Sequence, residues 1–428
     1  MEKTTKRKAW KQSTWLIALC WLVYSCSYIG KVNYKANITQ VETFFGVTHA
    51  EAGLVDSFFF FAYAIGQVVN GLCCKKYNLR YVVFGSLIAS GLINLAIAVT
   101  TNFAIIKYLW MINGFALSIL WPSLIRLLSE TMPKGEMAKA SVAMGTTVAV
   151  GTLIIYGLSS IYALFNAFKL AFYTAAIVAP TVAIIWMIFY NRLTKKERVE
   201  EDQTGETPSA PANPNVQQKS AKPTGQLLAA ICCLALFSVA TNLIADGLTT
   251  WVPSILKGNF GLSDSLSIVL TLVLPLLSVF GNLFAVKVHK KVPDFVTMCA
   301  LFFFVSGILI CIILGLFTLK GTFVIVMALA CFALVRALVG SSNSTITSIF
   351  PLFMRGKVNS GQIAGVLNGF CYIGSTISSY GLGLIADLWG WNAVFYVLLG
   401  ACVLVVLVAI VYNIGLHISA KKKQKPTA

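Results

Sequence analysis

Tyr28-Ile-Gly-Lys31-Val-Asn-Tyr-Lys35-Ala-Asn37 closes the first long apolar run of the chain and puts two lysines where hydrocarbon is expected. A charged side chain at the bilayer centre costs roughly 2.5–3.5 kcal/mol on insertion scales, so Lys31 is expected to face a bundle interior or a watery cavity. Tyr28, Lys31 and Lys35 are spaced by three and four residues and share one helix face. An anion site facing a cavity would use that arrangement. The plainer alternatives are an ion bridge from Lys31 to an acid elsewhere and a Lys35 that snorkels to the membrane surface.

Outward from this stretch, composition sets the class. Of 428 residues, 57% are hydrophobic and only 11% charged, whereas a soluble domain carries about 25% charged residues. A multi-span membrane protein follows. The net charge of +18 would suggest nucleic acid in a soluble chain. Here the basic residues cluster between apolar runs, so their location carries the information and no nucleic-acid partner is expected. The first run follows a basic start with no small-residue cleavage site, and reads as a retained span. Most of the eleven cysteines lie inside apolar runs, including the pair Cys232-Cys233, with no C-x-x-C spacing. The histidines His49, His289 and His417 sit near segment ends. Neither metal nor cofactor is expected.

A bilayer core of about 30 Å needs roughly 20 apolar residues per helix. Twelve such segments are expected, at 14–37, 49–74, 79–100, 103–131, 134–163, 167–191, 225–256, 262–288, 294–318, 321–353, 357–387 and 390–417. Most of the 33 Lys and Arg fall in alternate connections if the N-terminus is cytoplasmic; Lys107, Lys169, Lys257 and Lys320 fall outside. Both termini are therefore expected inside. The stretch 192–224 is polar and carries Pro208, Pro211, Pro214 and Pro223, so it reads as a cytoplasmic linker. The expected organisation is a basic N-terminus at 1–13, six-helix bundles at 14–191 and 225–417 around that linker, and a basic tail at 418–428.

The bundles are expected to be pseudo-symmetric. A shift of 215 residues lays Phe45-Gly46-Val47-Thr48 on Phe260-Gly261-Leu262-Ser263, and a shift of 223 lays Val150-Gly151-Thr152 on Ile373-Gly374-Ser375. These shifts suit a parallel repeat of two halves. Under the first, Lys31 falls on Asp246, an acid near the middle of a span. A carboxylate kept from water has a raised pKa that a nearby ammonium lowers again, so Asp246 is a candidate coupling group. The plain reading makes it the neutralising partner of Lys31. Arg336, near the middle of the tenth span, suits a carboxylate or phosphate, or an internal bond to carbonyls or Asp246.

The motifs Tyr28-x-x-Lys31-x-Asn33-Tyr34, Ala62-Tyr63 followed by Gly71, Trp121-Pro122-x-x-x-Arg126 and Trp251-x-Pro253 are joined by Gly361-Gln-x-Ala-Gly365, Tyr372-Ile-Gly374 and Asp387-Leu-Trp-Gly-Trp391. Over nearly the whole chain these residues resemble the major facilitator superfamily and, within it, the organophosphate/phosphate antiporters. The resemblance implies a transporter whose halves rock about a midplane site lined by spans one, four, seven and ten. In that family basic residues of spans one and seven bind the substrate phosphate. Lys31 matches the first position, with the charge but without the guanidinium fork, and Ala245 stands at the second. Gln67 stands where the phosphate-glycerol transporters carry a lysine, beside the retained aromatic Tyr63. Lys75 replaces the usual acid of the loop after span two.

The expected substrate-binding set is Tyr28, Lys31, Lys35, Tyr63, Trp121, Asn242, Asp246, Arg336, Asn343, Asn368 and Tyr372, with Asp246 coupling and Arg126 gating. The polar residues among them are as apt to join helices as to touch a ligand. The expected partners are a small anionic solute, inorganic phosphate or a proton as co-substrate, and membrane lipids, with the chain acting as a monomer. A receptor for a sugar phosphate and a proton symporter of a carboxylate or uncharged solute stand as alternatives. No nucleophile–base pair or phosphate-cradling glycine loop points to an enzyme.

Overall fold

A computed structural model describes residues 2–73, 77–132, 136–194, 225–278, 281–354 and 360–424. Most of the expected linker, the charged loop at Lys75 and Lys76, and Arg355 with Lys357 lie outside them.

Among the described residues the chain is helical and contains no strand. Its helices are α1 (Glu2–Ala36), α2 (Ile38–Phe45), α3 (His49–Cys73), α4 (Leu79–Val99), α5 (Phe103–Leu117), α6 (Leu120–Thr131), α7 (Met137–Leu164) and α8 (Lys169–Thr194). Beyond the linker come α9 (Gly225–Phe260), α10 (Asp264–Thr271), α11 (Val273–Ser278), α12 (Gly281–His289), α13 (Phe295–Leu316) and α14 (Thr322–Ser344). A π-helical turn (Thr345–Ile349) leads to α15 (Phe350–Phe353) and α16 (Ser360–Gln424). Nine stretches of the described chain are long and apolar enough to cross a membrane. The last of them holds two expected spans, because α16 breaks at Gly390, where φ is 78°. The second and eighth expected spans correspond to α3 and to α10 through α12.

The described residues fall into two compact units, one comprising Met1–Val41 and Phe58–Val216, the other Glu42–Ser57 and Gln217–Ala428. In the first, α1 packs on α7 and α8, and α4 packs on α5 and α8. In the second, α9 packs on α16, and α13 on α14 and α16.

The internal repeat is visible in local geometry. Gly46 and Gly261 both adopt the left-handed conformation, at φ 65° and 67°, which a Cβ disfavours. They end α2 and α9 with the αL turn that satisfies the last helical carbonyls: Val47 N–H reaches Glu42 O at 3.2 Å and Leu262 N–H reaches Leu256 O at 3.3 Å. The next helix then starts on a hydroxyl. Ser263 Oγ accepts from Leu266 N–H, while Thr48 and Glu51 form a reciprocal capping box, Thr48 N–H on Glu51 Oε2 at 3.0 Å and Glu51 N–H on Thr48 Oγ1 at 3.2 Å. Thr48→Ala is expected to lower stability by about 1 kcal/mol, read as a lower midpoint of thermal unfolding in detergent.

The second repeat match marks helix crossings. Gly151 of α7 lies against the Ser25 carbonyl of α1, and Gly374 of α16 against the Val239 carbonyl of α9. Small residues let helix backbones approach this closely where lipid removes the ordinary hydrophobic drive.

Polar glue holds α1 in the first unit. Asn33 Nδ2 donates to Asn94 Oδ1 at 2.8 Å, Asn113 Nδ2 to the Gly30 carbonyl at 2.8 Å, and Asn37 Nδ2 to Ser159 Oγ at 2.9 Å. All five side chains are buried. This network surrounds the helical turn that carries Lys31.

Candidate functional site

Each unit carries one cluster of the expected site residues. In the first unit α1 and α3 run past each other so that Lys31 meets Tyr63 and Lys35 meets Phe60. The Lys31 ammonium lies 4.0 Å from the Tyr63 ring centroid, 4.9 Å from Tyr28 and 6.0 Å from Phe59. Lys31 is half-buried, and Tyr63 and Phe59 are buried. Cation–π contacts contribute about 0.5–2 kcal/mol each according to desolvation, which offsets part of the cost of a charge at this depth. Lys35 Nζ lies 4.3 Å from the Phe60 centroid with only 4% of the residue exposed, so it stays inside the protein instead of snorkelling.

The aromatic run Phe58 to Phe61 divides by helical period. Phe59 and Phe60 turn inward, and Phe61 stays 57% exposed. Aromatic contact also extends along α1 to α6: Tyr24 lies 5.5 Å from Tyr28 and 4.7 Å from Trp121. Trp121 thus joins the wall of rings through Tyr24.

The motif Trp121-Pro122 accounts for the break between α5 and α6. Pro122 has no N–H for the carbonyl four residues back, and that carbonyl, Ser118 O, accepts instead from Gln67 Nε2 at 3.0 Å. Gln67 is therefore engaged in joining helices. Arg126 pairs with Glu130 one turn along its own helix at 2.7 Å. That pair is part-exposed and stabilises by a few tenths of a kcal/mol, about what an i,i+4 surface pair contributes.

In the second unit α9, α14 and α16 bring together Asn242, Asp246 and Asn343 with Cys371 and Ser375. Ser375 Oγ donates to Asp246 Oδ2. Asn242 Nδ2 donates to Ser375 Oγ at 3.0 Å and reaches Asp246 Oδ2 at 3.5 Å. Asn343 Nδ2 reaches Asn242 Oδ1 at 3.5 Å, and the Cys371 thiol approaches Asn343 Oδ1 at 3.8 Å.

Asn343 lies just before the π-helical turn, where Phe350 N–H bonds the Thr345 carbonyl five residues back. Such turns recur at functional sites because they re-aim side chains within a helix. Ala245 is buried. Arg336 on α14 and Asn368 and Tyr372 on α16 are half-buried. Asp246 thus accepts from a hydroxyl and lies within reach of an amide.

Ser375 and Cys371 were not among the expected residues, nor was Phe59. Ser375 had a signal, since it follows Gly374 in the repeat match, but nothing local said that its hydroxyl meets a carboxylate 129 positions away.

A third group lies at the start of α3, within the second unit. Two oxygens of Asp387 accept the N–H groups of His49 and Ala50 at 3.0 and 2.7 Å. The His49 ring bonds Glu42 at 2.9 Å and packs on Trp251 and Trp391. Burial pushes the Glu42 carboxyl up, opposed by its bond to His49. Among the described residues no group of three or more His, Cys, Asp or Glu is placed to hold a metal.

The sequence profile described as Major Facilitator Superfamily matches residues 20–362. The chain is 21% identical over 411 residues to Membrane sensor protein UhpC of Salmonella typhimurium, covering 93% of this chain and 90% of that protein. It is 22% identical over 397 residues to Sugar phosphate exchanger 3 of Bos taurus, covering 82% and 77%. The crystal structure of a bacterial homolog to the human lysosomal transporter Spinster, inward-facing and unoccupied, superposes with a TM-score of 0.73 at 12% identity, over 97% of this chain and 99% of that one.

Proposed function

Because the chain belongs to the Major Facilitator Superfamily, and is a multi-pass membrane transporter and not an enzyme, we propose that it moves a small anionic organic solute by alternating access. A phosphorylated sugar or polyol, or a sugar acid, is the solute class. The observation that carries this reading is the Lys31 ammonium, half-buried among three aromatic rings within the last part of the span Gln12–Ala36. A cation kept at such depth has a functional role by default, and the similarity to a sugar phosphate exchanger supports an anion as its ligand.

In this reading Lys31 and Arg336 attract the anionic group, and Tyr28 and Tyr63 give the solute an apolar wall that Trp121 extends. Lys35 adds positive potential one turn further along α1. Asp246 with Asn242, Asn343 and Ser375 receives hydroxyl groups and tunes or couples binding, with Asn368 and Tyr372 completing that side. Arg126 serves the gate at the other end of its span. The moving parts in this reading are six-helix bundles at 14–191 and 225–417. Both termini face the cytoplasm across an inner or plasma membrane, and the basic ends lie against anionic lipid at about 1 kcal/mol per charge near the surface. A single chain suffices.

Two drives are separable. Exchange against internal inorganic phosphate needs no titrating group, whereas proton symport needs a carboxylate such as Asp246. In vesicles loaded with glucose 6-phosphate, counterflow that persists with the pH gradient and voltage collapsed marks exchange. If accumulation needs the gradient, Asp246→Asn is expected to lower it about tenfold, to the level of passive equilibration, because the amide cannot carry the proton. A sugar-phosphate, sugar-acid and dicarboxylate panel with neither binding nor uptake would overturn the anion reading. The similarity to a membrane sensor supports a second reading as a receptor, which predicts binding of glucose 6-phosphate without uptake.

A further inference from the structure

The first half of α3 is held to α16 by contacts that lie apart from the candidate solute site. At its start, Asp387 accepts two backbone N–H groups, a carboxylate on the positive end of a helix. Two turns on, Ser57 Oγ donates to the Thr376 carbonyl at 2.7 Å and accepts the Tyr380 N–H at 3.0 Å. Between these points Gly53 lies against the Ser379 carbonyl, and a Cβ on Gly383 would fall 2.7 Å from the His49 carbonyl. The seam is backbone against backbone, closed at one end by charge. It stops where α3 passes from one compact unit to the other, between Ser57 and Phe58.

His49 heads this seam. Its Nδ1 lies 2.9 Å from Glu42 Oε1, and its ring lies 5.6 Å from Trp251 and 5.0 Å from Trp391. The charged groups around it are Glu42 of the α2 turn, Asp387 of α16 and Glu51 of its own helix, which is engaged with Thr48. From α9, Lys257 is tied to Asp264 at 3.0 Å. A neutral imidazole leaves the Glu42 and Asp387 carboxylates without a cation between them.

We propose that His49 is a proton-binding site that fastens the start of α3 to α16. With the seam closed, an imidazolium faces both carboxylates and two indole rings, which favour a cation. Burial of the ring opposes that charge, but the bond to Glu42 and the Glu42 and Asp387 carboxylates outweigh it. With the seam open the ring returns to water and loses its fixed bond to Glu42, Asp387 and the indoles of α9 and α16. The closed seam therefore holds the proton more tightly, and by linkage the proton favours closure. The added hold is complete below the pKa of the open seam and is lost as pH rises through the higher pKa of the closed one. An unperturbed histidine titrates at about 6.5, which places that loss across neutral pH. The site needs no solute and stands whichever transport reading holds.

Amide hydrogen exchange of the full chain in lipid nanodiscs tests this, with exchange in 49–57 divided by that in 86–98 of α4 to cancel the intrinsic effect of pH. The ratio is expected to rise about tenfold between about pH 5.5 and pH 8. His49→Gln is expected to keep the ratio high throughout, and His49→Lys, a permanent cation, to keep it low. A flat wild-type ratio overturns the proposal without any variant. A pH response that survives His49→Gln removes the assignment to His49, and His49→Lys decides the same point if the glutamine variant does not fold.

Discussion

Lys31→Gln lowers exchange of glucose 6-phosphate in reconstituted vesicles by at least about 100-fold, within the 2–5 kcal/mol lost when one member of a desolvated charge pair is removed. The ammonium lies over Tyr63 and Tyr28 at 4.0 and 4.9 Å, and an arriving anion meets its positive charge there. Glutamine keeps the length of the side chain and loses that charge. Lys31→Arg retains the charge and is expected to keep a measurable fraction of the flux, since guanidinium also stacks on aromatic faces. The thermal midpoint separates this from a folding defect. A single cooperative melt of Lys31→Gln identifies the variant as folded. Undiminished exchange in a folded Lys31→Gln would remove the lysine from the site.

Gly374→Leu is expected to leave the second unit unfolded, and Gly374→Ala to lose at least about 3 kcal/mol, the upper range for overpacking. A Cβ there would overlap the Val239 carbonyl and come within 3.0 Å of Leu243 N. Both obstacles are backbone of α9 and cannot rotate away. The loss matters against a total stability of about 5–15 kcal/mol. The same shift would part Ser375 from Asp246, so any folded fraction should also lose accumulation. Gly369, on the same helix with nothing within 4 Å of a Cβ, is the control: Gly369→Ala should be neutral or stabilise by up to about 1 kcal/mol. Equal thermal midpoints for the two alanine variants would show that the α9–α16 crossing tolerates separation.

Site residues were legible in proportion to the oddness of their setting. Lys31 and Asp246 stood out because charge inside an apolar run has no ordinary explanation. Phe59 did not, since one phenylalanine among four looks like lipid contact until period and partner are known. Gln67 was read by position, yet its role comes from the carbonyl that Pro122 leaves without a donor. Asp387 was quoted only as part of a motif, and its bond to the start of α3 crosses more than three hundred residues.

The amino-acid order by itself determined the membrane class, the helical segments and the repeated stretches at Gly46 and Gly261. These depend on hydropathy and on φ preferences acting over a few residues. Only the tertiary structure decided that Lys31 rests among aromatic rings, that Ser375 holds Asp246, and that α3 is seamed to α16 from His49 to Ser57. Such contacts join residues far apart in the chain. No local preference encodes them, and they exist only once backbones pack closely enough for particular atoms to meet.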